Sequence, residues 1–260
     1  MGQGHALWLA VGWAHRVHPD EHAAAGQLVV PAARRGGIPR GAPDQRVFTK
    51  TGLGVSRPPR KIGIFGGAFD PPHNAHLALA QTALQELELD ALHVIPTGHA
   101  WHKARILSAP EHRLAMARLA FAGMPCVVVD DREVNRAGPT FTIDTLQAIQ
   151  AENPSAQLYL LMGADQFLAF RQWHQWQAIL KIAIICVAAR ARFDWATGPF
   201  DTLKQPENRF LLLQMPQMPI SATQIRQLLV GGLGENRAMD DLLPGIVARY
   251  IAQHQLYKAA

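Results

Sequence analysis

Long apolar runs are scarce in this sequence of 260 residues, and cysteine is scarcer still, with two. A helix that crosses a bilayer needs roughly 18 to 20 consecutive apolar residues. The nearest approach, Ile179 to Ala189, is interrupted by Lys181 and reads as a buried strand. Cys126 and Cys186 both sit in hydrophobic runs. They are expected as small core side chains in a reducing cytosol, which excludes a disulfide scaffold. A general excess of positive charge is missing too. Lys and Arg outnumber Asp and Glu by 25 to 20, yet residues 1–60 hold eight basic against three acidic side chains and residues 61–260 hold seventeen of each. A neutral remainder excludes a broad basic surface for nucleic acid. Phosphate affinity in that part must come from a local site.

What is present divides at about residue 60. Residues 1–60 carry nine of the 21 glycines, scattered arginines and prolines, and no sustained period. Such a stretch buries too little apolar area to offset its chain entropy and is expected to be a disordered extension. An over-extended reading frame with the true start near Lys61 is an equal alternative. A targeting peptide is disfavoured, because the apolar patch Ala6 to Val11 is short, broken by glycine and preceded by no basic cluster. Residues 61–260 are long enough for a large core and are expected to form one domain.

From Lys61 the pattern is regular. Lys61 to Phe65 reads as a buried strand ending in two glycines, and Leu77, Ala80, Leu84 and Leu87 then recur at helical spacing. Further strands are expected at Leu92–Ile95, Val127–Val129, Leu158–Leu161, Ile182–Val187 and Phe210–Leu213, and helices at Pro110–Ala120, Thr142–Gln150, Ser221–Val230 and Pro244–His254. Strand–helix alternation implies an α/β fold with a parallel sheet covered on both faces.

In such a sheet, ligands sit outside the carboxyl ends of the strands. Gly66 and Gly67 fall at the first of these ends, in the run Gly66-Gly67-Ala68-Phe69-Asp70-Pro71-Pro72-His73-Asn74-Ala75-His76. Adjacent glycines let backbone N–H groups approach an anion closely, and the following helix points its positive end at the same place. His73 and His76 lie on one helical face, where their imidazoles can donate to phosphate oxygens. A purely structural pair and a metal-chelating pair are the rivals; chelation would want a third ligand, and spacing indicates none. The second motif is Ile220-Ser221-Ala222-Thr223-Gln224-Ile225-Arg226. Ser221 suits a helix N-cap, which could be its whole role. Alternatively the Ser221 and Thr223 hydroxyls and the planar fork of Arg226 face a polyphosphate.

The two motifs, in this order and roughly 150 residues apart, resemble the nicotinate-nucleotide adenylyltransferase family. The resemblance runs from Lys61 to Tyr257. It is narrowed by Trp101-His102-Lys103, Glu111 to Met116, Thr140 to Leu146, Gly163-Ala164-Asp165, Trp173, and the ending Leu243-Pro244 to Leu256-Tyr257. It implies a Rossmann-like, doubly wound nucleotidyltransferase fold and transfer of AMP from ATP to nicotinate mononucleotide, with Mg²⁺ carried on the ATP phosphates. It implies that His73 and His76 contact those phosphates, His76 at the reacting α-phosphate, and that Arg226 acts with them in catalysis. Gly66, Gly67, Phe69, Lys103, Ser221, Thr223 and Arg226 would bind ATP; Thr142, Asp165, Trp173 and His174 would bind the acceptor. Trp173 is favoured over Trp176 as the stacking partner of the ring.

This sequence departs from the family pattern at Ala75, where a glycine is usual, at Ala100-Trp101 in place of Pro-Pro, and at Ala189-Arg190-Ala191 in place of Arg-Pro-Gly. Arg190 is therefore assigned no firm role. Asp130, Asp131 and Glu133 read as a solvated loop, and His102 and His112 as surface residues. Nicotinamide mononucleotide or pantetheine phosphate is the alternative acceptor, and an idle nucleotide-binding protein the alternative class. A cytoplasmic location is expected, with no nucleic acid or membrane partner; a homo-oligomer is left open.

Overall fold

The first strand shows how the sequence builds both faces of the sheet at once. In β1 (Lys61–Gly67), Ile62 and Ile64 are buried in one core and Phe65 in another, as period-two geometry requires when helices cover both faces. The computed structural model describes residues 59–98, 107–189, 209–216, 218–231 and 239–258. All of these belong to one unit, Val55–Ala260; the other unit, Met1–Gly54, lies outside the described residues.

After β1 come α1 (Asn74–Glu86), β2 (Ala91–Pro96), α2 (Pro110–Ala120), β3 (Val127–Val129), α3 (Thr142–Glu152) and β4 (Gln157–Gly163). There follow α4 (Ala164–Leu168), a 3₁₀ turn at Phe170–Gln172, α5 (Trp176–Ile182), β5 (Ala183–Ala189), β6 (Phe210–Gln214), α6 (Ala222–Val230) and α7 (Gly245–Gln253). The six strands are all parallel, in the order β3-β2-β1-β4-β5-β6. Successive crossovers run outward from β1 in one direction and, after β3, return to β4 on its other side. The carboxyl ends of β1 and β4 thus flank the point where the winding reverses, the place where open α/β sheets hold ligands. Buried residues of α1, α2, α6 and α7 share one core, and those of α3, α4 and α5 the other. The doubly wound α/β expectation holds.

Local signals account for two of the helix starts. Pro110 opens α2, where a missing N–H costs nothing. Ser221 caps α6 by accepting the amide of Gln224. The four expected apolar positions after the first loop share one core: Ala80 and Leu87 are buried in it and Leu77 and Leu84 are packed against it, with Leu79 and Ala83 added. Two expectations need correction. The run from Ile179 is not one strand: residues up to Ile182 complete α5, which buries Ile179 and turns Lys181 to solvent, and β5 begins at Ala183. A short apolar run cannot be divided between helix and strand by periodicity alone. Cys186 is buried as expected, but Cys126 is exposed. It lies in a left-handed turn (φ 61°) before β3, a three-residue strand with no outer neighbour among the described residues.

Candidate active site

The loop after β1 is shaped by what lies beneath it and open above. Gly66 still pairs with Ile95, yet it is exposed, and a Cβ built there would meet nothing within 4 Å. The Gly67 carbonyl accepts the backbone N–H of Thr97 at 2.8 Å and its hydroxyl at 3.1 Å. A Cβ on Gly67 would come 3.2 Å from the ring of Phe69. Phe69 takes a left-handed backbone (φ 48°) that turns its ring back under the loop, edge-on to Phe65, Phe121 and His76. Its side chain is therefore a core plug.

His73 is the N-cap of α1 and His76 ends its first turn. The His76 amide donates to the His73 carbonyl at 2.8 Å, while the His73 amide donates to Nδ1 of His76 at 3.1 Å. The two rings stack with centroids 3.7 Å apart and planes 24° off parallel. Because Nδ1 of His76 accepts, the neutral ring carries its proton on Nε2. His73 is 7% exposed, and its Nδ1 is buried without a hydrogen-bond partner among the described residues. Burial lowers its pKa from 6.5 to about 4, against a smaller opposing backbone hydrogen bond. A buried polar atom left unpartnered is costly, and at a helix N-terminus it suits an incoming anion.

The second motif meets this loop directly. Nη1 of Arg226 donates to the Asp70 carbonyl at 2.7 Å, and Nη2 to the Thr223 hydroxyl at 3.1 Å. Ser221 both caps α6 and donates to the side chain of Gln224 at 3.0 Å. Two further C-terminal segments converge on the same stretch. Asn74 donates its backbone N–H to Leu242 and its side-chain amide to the carbonyls of Asp240 and Asp241. The Tyr257 hydroxyl donates to the Asp70 carboxylate.

The expected acceptor residues lie on α3, on α4 and just before α5. Thr142 is the first residue of α3, and the N-cap Phe141 packs on His174 with ring centroids 4.3 Å apart. Trp173 rests on Phe170 at 5.3 Å, and Trp176 lies under the Arg171 guanidinium at 5.7 Å. Both tryptophans are half-buried against the same core. Asp165 is exposed, in the first turn of α4. Lys103, with Trp101 and His102, and Arg190 lie outside the described residues.

A cytidylyltransferase-like family model matches residues 64–228. A relative from Albidiferax ferrireducens, named "Probable nicotinate-nucleotide adenylyltransferase", is 52% identical over 201 residues, covering 77% of this chain and all of its own length. One of the same name from Methylibium petroleiphilum is 40% identical over 200 residues, covering 77% and 93%. The chain belongs to the nicotinate-nucleotide adenylyltransferase family. Its fold also resembles that of a Plasmodium falciparum nicotinic acid mononucleotide adenylyltransferase solved with deamido-NAD (NaAD). The TM-score is 0.63 at 20% identity, over 76% of this chain and 97% of that one.

Several side chains of this adenylyltransferase do more than the motifs foretold. Arg113, 1% exposed, donates Nε to the Ser108 carbonyl at 2.9 Å, Nη1 to that of Ala68 at 3.0 Å, and Nη2 to that of Gly98 at 3.1 Å. It ties the loop after β1 to the end of β2 and the start of α2. The available signal was its place on the apolar stripe of Met116, Ala117 and Ala120, where a cation needs a reason. Glu133 corrects the solvated-loop reading: it is 7% exposed, accepts the Thr145 hydroxyl at 2.8 Å, and has its pKa raised by burial. Asp130 is likewise engaged, by His93 at 3.0 Å and Arg132 at 2.8 Å, and its pKa falls to about 2; those hydrogen bonds outweigh the opposing desolvation. His112 is half-buried and meets the Tyr250 hydroxyl at 2.9 Å.

Proposed function

We propose that the chain transfers the AMP moiety of ATP to nicotinate mononucleotide, giving deamido-NAD and pyrophosphate. The observation that carries this is the 2.7 Å bond from Arg226 to the Asp70 carbonyl, which makes one polyphosphate site of two motifs far apart in sequence. In this reading Gly66 and Gly67 leave room for the triphosphate, and Nε2–H of His76 donates to the α-phosphate as charge builds there. His73 donates beside it. Ser221, Thr223 and Arg226 hold the β- and γ-phosphates that leave as pyrophosphate, and Lys103 helps to neutralise them.

The acceptor's phosphate is already an ionised nucleophile, so neither a general base nor a covalent intermediate is needed. Catalysis is positioning plus charge stabilisation. The cradle offers imidazole and guanidinium nitrogens and backbone amides, which suit phosphate oxygens and not a hard cation. Mg²⁺ would therefore enter on the phosphates and its own waters, where it offsets their charge.

Thr142 and Ile143 open α3, where helix geometry gives their N–H groups no partner within the helix. Those amides, with the positive helix end, favour the carboxylate of a nicotinate ring over a neutral amide. Trp173 stacks on the ring, His174 borders it, and Asp165 holds a ribose hydroxyl. We place the enzyme in the cytoplasm; no helix among the described residues is long and apolar enough to cross a membrane. Residues 1–60 are proposed to be dispensable.

The test is pyrophosphate release from ATP and Mg²⁺ with nicotinate mononucleotide, nicotinamide mononucleotide or pantetheine phosphate in parallel. Release with the first is expected to exceed the others by at least about tenfold. Preference for another acceptor would overturn the ring assignment, and no release with any of them would overturn the reaction. A chain beginning at Arg60 is expected to match the full chain.

A further inference from the structure

The carboxylate of Asp70 sits inside the molecule, 1% exposed, in the middle of the phosphate loop. Its Oδ1 accepts the hydroxyl of Tyr257, and its Oδ2 accepts the backbone amide of Ser108 at 3.3 Å. The carbonyl of the same residue accepts Nη1 of Arg226. One residue of the loop thus takes bonds from the segment before α2, from α6 and from the chain beyond α7.

We propose that Tyr257 is a positioning residue for the nucleotide: its hydroxyl fixes the Asp70 carboxylate, and Asp70 in turn fixes the carbonyl that aligns the Arg226 guanidinium. The inference rests on the reading of Arg226 as a phosphate ligand. A buried carboxylate has to be hydrogen-bonded, and so it stays where its donors are. Tyrosine is a stiff donor with few torsions, and burial together with the neighbouring Asp70 charge keeps its hydroxyl protonated. Its backbone takes φ 61°, a left-handed conformation that side-chain-bearing residues seldom adopt. Downstream, an arginine held at Nη1 by the Asp70 carbonyl and at Nη2 by the Thr223 hydroxyl has its planar fork fixed in one plane, and a fixed plane is what contact with phosphate requires.

The inference is tested by calorimetric titration of the full chain with ATP and Mg²⁺, beside steady-state kinetics. Tyr257→Phe, which removes one oxygen, is expected to weaken ATP binding about tenfold and to lower kcat, with KM for the pyridine mononucleotide unchanged. In an Arg226→Ala background the same change is expected to have no further effect on ATP affinity, because the link it acts through is gone. Asp70→Ala, which removes the acceptor of the Tyr257 hydroxyl, is expected to weaken ATP binding at least as much as Tyr257→Phe does, and Tyr257→Phe is expected to add nothing in that background. Wild-type ATP affinity in Tyr257→Phe with only a lowered melting temperature would reduce the residue to structural support and overturn the inference. So would effects that simply add in the double variant. A wild type that binds ATP but transfers to no pyridine mononucleotide would overturn the acceptor reading and leave this one standing; a wild type that does not bind ATP would overturn both.

Discussion

The backbone amide of His73 donates to Nδ1 of His76 at 3.1 Å while the two rings lie stacked 3.7 Å apart. This arrangement spends one nitrogen of His76 on the helix start and directs the other, with its proton, away from the backbone. The backbone therefore sets the tautomer with its proton on Nε2, the one that the proposed phosphate contact requires.

His76→Ala is expected to lower kcat by about 10²- to 10³-fold, the usual loss when one preorganised donor to a developing charge is removed. The His73 amide also loses its acceptor, at about 1 kcal/mol of stability. Single-turnover rates and urea unfolding would separate the two effects. A kcat near that of the wild type would take His76 out of the mechanism.

Acid stability should report on His73. Its folded pKa, about 4, lies below its ordinary 6.5 because burial disfavours the charged ring. Its contribution is therefore complete above pH 6.5 and lost as pH falls from there through 4. The loss is on the order of 3 kcal/mol at 1.36 kcal/mol per unit. Unfolding free energies at pH 7 and pH 4.5 should converge in His73→Gln relative to the wild type. An unchanged difference between the two pH values would show that His73 is not held neutral by burial.

Two glycines make a matched pair of probes. A Cβ on Gly66 meets nothing within 4 Å, whereas one on Gly98 would come 2.0 Å from the Glu133 carbonyl oxygen. Gly66→Ala should leave the melting temperature within about 2 °C of the wild type and weaken ATP binding at least about tenfold, because on the proposed reading the added methyl meets the bound phosphates and no part of the fold. Gly98→Ala must move backbone and should cost about 2–4 kcal/mol, as core overpacking does. Normal ATP affinity in Gly66→Ala would move the phosphates off this loop.

Arg113→Ala would strip the carbonyls of Ser108, Ala68 and Gly98 of a donor in one step. A loss of about 3–5 kcal/mol is expected, as for other buried polar networks. Arg113→Lys should recover only part of it, since an ammonium cannot span the three carbonyls as a planar fork does. Full recovery in the lysine variant, measured by thermal unfolding, would make the charge alone sufficient.

The sequence was most legible where one physical signal acted alone. The His73–His76 spacing and the Ser221 cap each name a local geometry, and each is found; Gly66 and Gly67 instead stay paired within β1, and the left-handed turn falls at Phe69. The run from Ile179 was opaque because helix and strand follow one another there without a polar break. Glu133 was misread because carboxylates near one another in sequence look solvated, while its burial depends on the backbone of Gly98 and the hydroxyl of Thr145. Arg113, Asp70, Asn74 and Tyr257 stood in plain sight inside motifs, but their work lies in long-range hydrogen bonds. Nothing in a one-dimensional pattern announces a bond from Tyr257 to Asp70.

That bond joins residues 187 positions apart. During synthesis the loop bearing His73 and His76 leaves the ribosome long before the tyrosine that completes its support, even as earlier segments begin to fold. A translation product stopped short of Tyr257 lacks the donor to Asp70, and on the proposed reading its nucleotide cradle is unfinished. Competence to handle ATP would then wait until Tyr257 has been made.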